Sequence, residues 1–212
     1  MTPTPTDPLE PLRRPQWLTE ARRKAIHLAF IVLPIELLFS VLPWPRTHRE
    51  FRLLFVALTA GAIAIDVLRI QHARVRTFFR QFFGEMIREH EQMSLLGSSY
   101  LLLAALIAVE VFPQPIAAAA LGFTVLGDAM GALVGKGWGR TKVFNKSIEG
   151  ALGCLAACLL WALVVAEVSN VPMSVLVVGA VVATVVEVLP IPLDDNMGIT
   201  LAAGYAMKLL AV

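Results

Sequence analysis

QMSLLGSSYLLLAALIAVEVFPQPIAAAALGFTVLG, residues 92–127, contains a single charged side chain, that of Glu110. The stretch consists of two uncharged runs, 92–109 and 111–127, of 18 and 17 residues. Crossing the hydrocarbon core of a bilayer takes about 20 mostly apolar residues. Each run with its flanks is therefore long enough to form a membrane-spanning helix.

The rest of the chain repeats this pattern. Residues 150–166 and 168–186 also lack Asp, Glu, Lys and Arg. Of the 212 residues, 57% are hydrophobic and 16% are charged, whereas about 25% are charged in an average soluble domain. A soluble domain of this size cannot bury four such runs. The composition therefore predicts an all-α, polytopic integral membrane protein, in which Cys154 and Cys158 are small packing residues of one apolar run.

Proline-containing breaks divide the apolar sequence into spans. The breaks occur at 43–45, 112–115, 169–172 and 190–192. We predict seven spans, at about 25–42, 51–68, 95–112, 115–134, 149–166, 173–189 and 197–212. Residues 1–20 are rich in proline and polar side chains and lack a cleavable signal pattern, which predicts a disordered tail. Residues 21–212 then form a single transmembrane domain.

The basic residues indicate the orientation of this domain. The residues before the first span (1–24), the segment after the second span and the segment after the fourth span together hold 14 of the 18 Lys and Arg residues. Basic residues favour the cytoplasmic side of a membrane, so the N-terminus and residues 127–150 are predicted to be cytoplasmic. The exception is the cluster of Arg46, Arg49 and Arg52, which this orientation places outside.

A different kind of helix is predicted between the second and third spans. Its apolar residues fall on one helical face: Val75, Phe78, Phe79, Phe82, Phe83, Met86 and Ile87. Arginines occupy the rest of the surface. A basic helix with an aromatic stripe is suited to the membrane interface, although a helix packed on the cytoplasmic loops would show the same pattern.

The sequence GDAMGALVGKGWGRTKVFNKSIEG, residues 127–150, carries the residues best suited to chemistry. Asp128 lies near the middle of an otherwise uncharged span, where an ionisable side chain is costly and marks a functional candidate. Glycines and polar or basic residues follow it: Gly135, Lys136, Gly137, Gly139, Arg140, Lys142, Lys146 and Ser147. Glycines let backbone amides approach an anion, and basic side chains bind phosphate oxygens. Since Mg²⁺ prefers carboxylates beside substrate phosphates, Asp128 and Glu149 complete a predicted nucleotide phosphate site.

Plainer interpretations of these residues remain open. The repeat Gly127, Gly131 and Gly135 also suits close helix packing, and the basic loop also suits an ordinary cytoplasmic loop. His27 is either an interfacial anchor or a contact to a substrate hydroxyl. Glu36 is either an interhelical hydrogen-bonding group or a substrate contact.

The segment 127–150 resembles the signature of the membrane kinase family that contains dolichol kinase, phytol kinase and the CTP-dependent diacylglycerol kinases. The matching elements are Gly127-Asp128, the glycine-rich basic stretch 135–142, and Lys146-Ser147-Ile148-Glu149-Gly150. Further elements agree in order: Arg23-Lys24-x-x-His27, EQMSLLGSSY at 91–100, and Glu187 with Asp195-Asn196. The resemblance covers about residues 20–205. Two positions depart from the family pattern, Ala151 and Gly198, and the second affects the shape of the last site loop.

The resemblance implies a catalytic domain that transfers the γ-phosphate of CTP to the hydroxyl of a lipid alcohol such as a polyprenol, phytol, geranylgeraniol or diacylglycerol. Nucleotide binding is assigned to the glycines and basic residues of 135–147, with Lys146 also in the catalytic set beside Asp128 and Glu149. Mg²⁺ is assigned to Asp128, Glu149 and Asp195, one of which doubles as general base. Substrate contacts are assigned to His27, Glu187 and Asn196. CTP as donor follows from the resemblance alone, and no nucleic-acid partner is expected.

Two other functions are compatible with parts of this pattern. A CTP:phosphatidate cytidylyltransferase has a related glycine-rich segment, but the C-terminal acidic signature of that family is absent from the sequence. A small transporter would also place Asp128, Glu36 and Glu187 inside spans, but the two halves of the chain show no convincing internal repeat.

Overall fold

The computed structural model describes residues 16–84, 87 and 89–211, and these residues are helical almost throughout. The helices are α1 (Gln16–Ala29), α2 (Val32–Phe39), α3 (His48–Gln71), α4 (Ala73–Phe83), α5 (Gly97–Val111), α6 (Gln114–Gly122), α7 (Asp128–Trp138), α8 (Ile148–Val168), α9 (Met173–Val188) and α10 (Asp195–Leu210). A short 3-10 helix (Glu89–Met93) precedes α5, and a π-helical turn (Phe123–Gly127) joins α6 to α7. Two strands, β1 (Lys142–Val143) and β2 (Lys146–Ser147), form a small antiparallel hairpin between α7 and α8. Apart from this hairpin, the predicted all-α class is confirmed.

The predicted spans correspond to helices, but the structure does not confirm seven membrane crossings. Within the part of the chain that the structure describes, three helices are long and apolar enough to cross a membrane: α3, the continuous helix formed by α6, the π turn and α7, and α8. Helices α5 and α9 are apolar but contain only 15 and 16 residues. At 1.5 Å per residue they would extend about 22–24 Å, which is less than the hydrocarbon core of about 30 Å.

The predicted first span, 25–42, consists of two helices. Pro34 has no N–H group with which to bond the carbonyl of Phe30, and that carbonyl accepts instead from the N–H of Leu33 at 3.0 Å. The helix is therefore interrupted between α1 and α2. Helix α1 begins at Gln16, inside the range predicted as tail, while residues 1–15 lie outside the described residues. Glu36 is 5% exposed and accepts from the N–H of Leu42 at 3.1 Å, so it closes the turn after α2.

The helix that contains α6 and α7 lies at the centre of the molecule. Of its most apolar stretch 78% is buried inside the protein, against 22% for α3 and 33% for α8. Small side chains permit this position: the alanines of 117–120 are fully buried, and a Cβ on Gly122 would lie 1.9 Å from Nε1 of Trp161. Alanines and glycines therefore let neighbouring helices approach the centre closely.

The two cysteines belong to this packing. A Cβ on Gly127 would lie 2.8 Å from Sγ of Cys158 and 3.0 Å from Sγ of Cys154. Both thiols are free and buried. The prediction that Cys154 and Cys158 are packing residues is confirmed, and part of the glycine repeat has the packing role that was left open.

Helix α4 leaves its aromatic side chains largely uncovered. None of its described residues is buried, and Phe78 and Phe82 are 57% and 60% exposed. Met86 of the predicted stripe lies outside the described residues. An aromatic face that the protein does not cover supports an interfacial position over packing on the loops.

Candidate active site

Two helix N-termini bring the predicted site residues to one end of the bundle. Ser147 caps α8 by accepting the N–H of Gly150 at 3.1 Å. Asp194 caps α10 by accepting the N–H of Asn196 at 3.0 Å. Serine and aspartate are favoured at this position because they satisfy an otherwise unbonded backbone amide. The first turns of both helices, with their partial positive charge, therefore flank the site.

Asp128 is the first residue of α7 and is only 8% exposed. Its carboxylate forms an ion pair with the buried ammonium of Lys24 on α1. Nε2 of His27, one turn further along α1, lies 3.5 Å from the same carboxylate oxygen. A charge buried at this depth is stable only when it is paired, so α1 supplies the counter-charge that keeps Asp128 ionised.

Lys146 links two further carboxylates across the site. Its Nζ donates to Oε1 of Glu187 at 2.8 Å and to Oδ2 of Asp195 at 3.3 Å. Burial alone would lower the pKa of Lys146, but the carboxylates of Glu187 and Asp195 outweigh it and raise the pKa above its ordinary value. The side chain is therefore held as an ammonium at one fixed point.

A polar cavity of about 270 Å³ opens between α7, the hairpin and the start of α8. Basic side chains from three segments line it: Arg23, Lys24, Lys136, Lys142 and Lys146. Asp128, Ser147 and Glu187 also line this cavity. The excess of positive charge and the N-terminus of α8 suit a polyphosphate anion.

The structure differs from the prediction that the glycines of 135–142 present backbone amides to an anion. Helix α7 continues through Trp138, so Gly135 and Gly137 lie within a helix and their amides serve its hydrogen bonds. Gly135 lines the polar cavity, but a Cβ on Gly139 would lie 2.6 Å from Oγ of Ser147, and a Cβ on Gly137 would meet nothing within 4 Å. Glycine at 139 therefore permits helix packing, while Gly137 faces open space.

The three carboxylates predicted as Mg²⁺ ligands are not brought together. Glu149 accepts from the N–H of Thr141 at 3.2 Å and does not line the polar cavity. Asp128 is paired with Lys24, and Asp195 is paired with Lys146. Among the described residues, no group of three or more His, Cys, Asp or Glu side chains is arranged to hold a metal ion. Arg140 is exposed and also lies outside the lining of the cavity.

A second, apolar cavity of about 300 Å³ adjoins the first. Apolar side chains from α1, α4 and the segment that leads into α5 line most of it: Ile26, Phe30, Phe79, Phe83, Ile87 and Leu96. Its polar end holds His27, Asp128 and Asn196. Nε2 of His27 and Oδ1 of Asn196 are buried there without a hydrogen-bond partner among the described residues. Buried polar atoms are normally bonded, so this end of the cavity is suited to a ligand with a polar head and an apolar body.

The two cavities meet at Asp128. Arg23, Lys24 and Asp128 line both of them. A charged ligand in the polar cavity and a hydroxyl in the apolar cavity would therefore both lie beside one carboxylate. This junction is the feature of the site with the clearest chemical consequence.

One wall of the apolar cavity is fixed by a buried ion pair on α3. Asp66 and Arg69 are 0% and 1% exposed, and Nη2 of Arg69 lies 3.0 Å from Oδ1 of Asp66. Arg69 donates to the carbonyls of Glu91, Gln92 and Ser94 at 2.7–3.1 Å. Asp66 accepts from the N–H of Leu96 at 2.9 Å and from Oγ of Ser99 at 2.7 Å. The pair therefore holds the segment 91–99 against α3.

Sequence reasoning missed Lys24 as a member of the site. Lys24 is 104 positions from Asp128, so no local pattern joins the two residues. The available signal was the i, i+3 spacing from His27, which places both side chains on one face of a helix.

Comparison with known proteins gives a partial indication of function. No family model and no solved structure matches the chain. An uncharacterized protein of Rickettsia prowazekii (strain Madrid E) is 27% identical over 190 residues, which cover 86% of this chain and 90% of that protein. The CTP-dependent diacylglycerol kinase 1 of Schizosaccharomyces pombe is 29% identical over 91 residues, which cover 42% of each chain. The second similarity is weak and partial, and it hints at a lipid kinase.

Proposed function

We propose that the protein is a membrane enzyme that transfers the γ-phosphate of CTP to the hydroxyl of a lipid alcohol. The observation that carries this proposal is the junction of a basic polar cavity with an apolar cavity at Asp128. Such a kinase must bring a water-soluble polyphosphate and a lipid hydroxyl to the same point. The partial similarity to a CTP-dependent diacylglycerol kinase supports CTP as the donor.

The phosphates of CTP occupy the polar cavity in this proposal. Lys136, Lys142 and Lys146 neutralise phosphate oxygens, and the N-terminus of α8 adds its partial positive charge. Phosphoryl transfer depends mainly on positioning and on such neutralisation. Lys146 contributes from a fixed point because Glu187 and Asp195 hold its ammonium. Arg140, exposed beside the cavity, stays a predicted phosphate contact.

The acceptor hydroxyl occupies the polar end of the apolar cavity. His27 and Asn196 each present one buried, unbonded atom to it. The hydroxyl oxygen attacks the γ-phosphorus, the bond between that phosphorus and the β,γ-bridging oxygen breaks, and CDP leaves. The hydroxyl proton passes to the carboxylate of Asp128, which Lys24 keeps ionised until the transfer. The lipid chain extends along the side chains of Phe79 and Phe83 towards α4.

Mg²⁺ fits this site through fewer protein ligands than the sequence indicated. Magnesium commonly takes one or two carboxylates and completes its shell with substrate phosphates and water. The carboxylates of Glu187 and Asp195 already converge on one cation, the ammonium of Lys146, so these two residues are the proposed ligands. When bound, the ion would neutralise charge on the phosphates of CTP.

Product analysis with the purified protein tests the proposed function. Labelled CTP is incubated with magnesium and a panel of lipid alcohols, and ATP replaces CTP in a parallel set. We expect CDP and a phosphorylated lipid that form only when both substrates are present. Release of pyrophosphate would instead identify a cytidylyltransferase, and nucleotide that is not consumed with any acceptor would contradict enzymatic use of CTP.

A further inference from the structure

A third cavity, of about 90 Å³, lies between α4 and the 3-10 helix and contains three guanidinium groups. The arginines that line it are Arg69, Arg76 and Arg80. Three like charges around so small a space repel one another unless each has a counter-charge. Each of the three guanidinium charges therefore needs an anionic partner, from the protein or from a ligand.

Only Arg69 has an anionic partner among the described residues. It is paired with Asp66 and donates to three backbone carbonyls. Nη1 of Arg76 lies 3.3 Å from Sδ of Met93, and Nη2 of Arg80 lies 3.4 Å from Oε1 of Gln92. Both acceptors are neutral, and a thioether sulfur is a weak one. Arg76 and Arg80 are also one helical turn apart, a spacing at which like charges destabilise a helix.

We propose that Arg76 and Arg80 bind the phosphate of an anionic phospholipid at the membrane surface. Two guanidinium groups one turn apart can clamp a phosphate through paired N–H groups, which a lysine cannot reproduce. The exposed rings of Phe78 and Phe82 on the same helix are suited to the level of the lipid headgroups. The charge of the arginines and the aromatic surface therefore match one occupant, a phospholipid with a net negative charge.

This site is separate from the proposed chemistry and does not depend on it. Arg76 and Arg80 line neither the polar nor the apolar cavity. An anionic lipid in this position would supply a counter-charge that the described residues do not provide, and it would fasten α4 to the membrane. Binding can be measured without any assay of enzymatic activity.

The test uses the purified full-length chain in nanodiscs of phosphatidylcholine that contain 30% spin-labelled phosphatidylglycerol or phosphatidylcholine. The double variant Arg76→Gln/Arg80→Gln is compared with Arg74→Gln, an exposed arginine of the same helix that does not line the cavity. We expect the preference for phosphatidylglycerol to fall about tenfold in the double variant, which removes the paired guanidinium–phosphate bonds. The preference should persist in Arg74→Gln, since Arg74 does not line the cavity. The variant Arg76→Lys/Arg80→Lys keeps both charges and should retain part of the preference for phosphatidylglycerol. It replaces the glutamine variant in the comparison if the glutamine variant does not fold.

Three outcomes would overturn the assignment. Equal preference in the wild type and in a folded double variant would show that these arginines bind no lipid phosphate. Equal loss in Arg74→Gln would show an effect of total helix charge without a defined site. Full displacement of the labelled lipid by millimolar inorganic phosphate would identify a site for soluble phosphate in place of a lipid site.

Discussion

Asp128 illustrates how a single carboxylate acquires a role from its surroundings. The residue lies at the start of α7, beside a buried lysine and at the junction of two cavities with opposite polarity. Neither charge of the Lys24–Asp128 pair would be tolerated there alone. Removing one partner of a buried ion pair destabilises a protein by about 3–5 kcal/mol, because the remaining charge is left buried and unpaired. The pair is therefore both a structural contact and the proposed centre of the chemistry.

The variant Asp128→Asn tests the chemical role of this carboxylate. It removes the proposed proton acceptor, and we expect turnover to fall about 100-fold or more. Since the change also leaves Lys24 without its counter-charge, the matched variant Lys24→Met/Asp128→Asn removes both charges and should restore folding but leave activity low. Turnover is measured at saturating magnesium and CTP, with helicity and detergent-extracted yield as folding controls. Near-normal turnover in either variant would remove Asp128 from the mechanism.

Substitution of alanine for two glycines of the central helix, Gly122 and Gly137, should have different effects on the stability of the protein. A Cβ on Gly122 would lie 1.9 Å from Trp161, whereas a Cβ on Gly137 would meet nothing within 4 Å. We expect Gly122→Ala to destabilise the protein by about 1–3 kcal/mol through overpacking. Gly137→Ala should instead leave stability unchanged or raise it by up to about 1 kcal/mol, because alanine favours a helix.

The stability of both glycine variants is measured as their free energy of unfolding in mixed detergent micelles. The rate of phosphoryl transfer by Gly137→Ala is measured as well. Full activity in Gly137→Ala would agree with a helical Gly137 that faces open space. Loss of CTP use without loss of stability would mean that the backbone at this position approaches the nucleotide, as the sequence first indicated.

At the scale of elements, the contact between α3 and the segment 91–99 determines the shape of the apolar cavity. Arg69 and Asp66 together bond the backbone of this segment from Glu91 to Leu96. Gly97 then accepts from Nδ2 of Asn196 at 3.1 Å, which connects the segment to α10. The wall of the cavity is thus held from both sides by buried and part-buried hydrogen bonds.

Arg69→Lys should loosen this wall without disturbing the polar cavity. A lysine cannot reach Asp66 and three carbonyls at once, because it lacks the planar fork of donors. We expect faster hydrogen exchange at the amides of 91–99, with α8 and α9 unchanged, and a raised KM for the lipid acceptor beside an unchanged KM for CTP. Unchanged exchange in this segment would contradict the proposed role of Arg69, and equal changes in both KM values would indicate general destabilisation.

The elements were largely predictable from local patterns, with informative exceptions. Uncharged runs and proline-containing breaks located most helices, and the period of the aromatic residues located α4. The division of the first span follows from Pro34, which was visible in the sequence but lies within an apolar run that hides the break. The helical state of 135–138 was not predictable, because glycine has a low helix propensity and close packing against the start of α8 is the reason for glycine at 135 only. Nothing in the structure explains glycine at 137.

At the scale of the molecule, the predicted orientation depends on the distribution of basic residues. Single cysteines at positions 140 and 170, in a background in which Cys154 and Cys158 are replaced by alanine, should be labelled from opposite sides of the membrane. The protein with both native cysteines serves as the folding control. Since Cys154 and Cys158 are buried against Gly127, they should stay unlabelled as long as the protein is folded. Labelling of position 140 from outside intact cells would contradict the predicted cytoplasmic location of the site.

Long-range packing accounts for what the sequence could not provide. The motif around Asp128 and Lys146 identified the region of the site, but the pairing of Lys24 with Asp128 and of Lys146 with Glu187 depends on which helices become neighbours. The same is true of Glu149. Its position in the sequence favoured a role as metal ligand, but in the structure its carboxylate accepts from the N–H of Thr141. Local sequence predicts which residues are suited to chemistry, while the packing of α1, α7 and α9 decides which of them meet.

The most direct test of the account follows the individual phosphates of CTP. The purified protein is supplied with a lipid alcohol and with CTP labelled either at the γ-phosphate or at the α-phosphate. We expect the γ label to appear in the lipid product while the α label stays in CDP, and we expect Asp128→Asn to suppress the transfer. Transfer of the α label to the lipid, or consumption of CTP without any labelled lipid, would contradict this expectation.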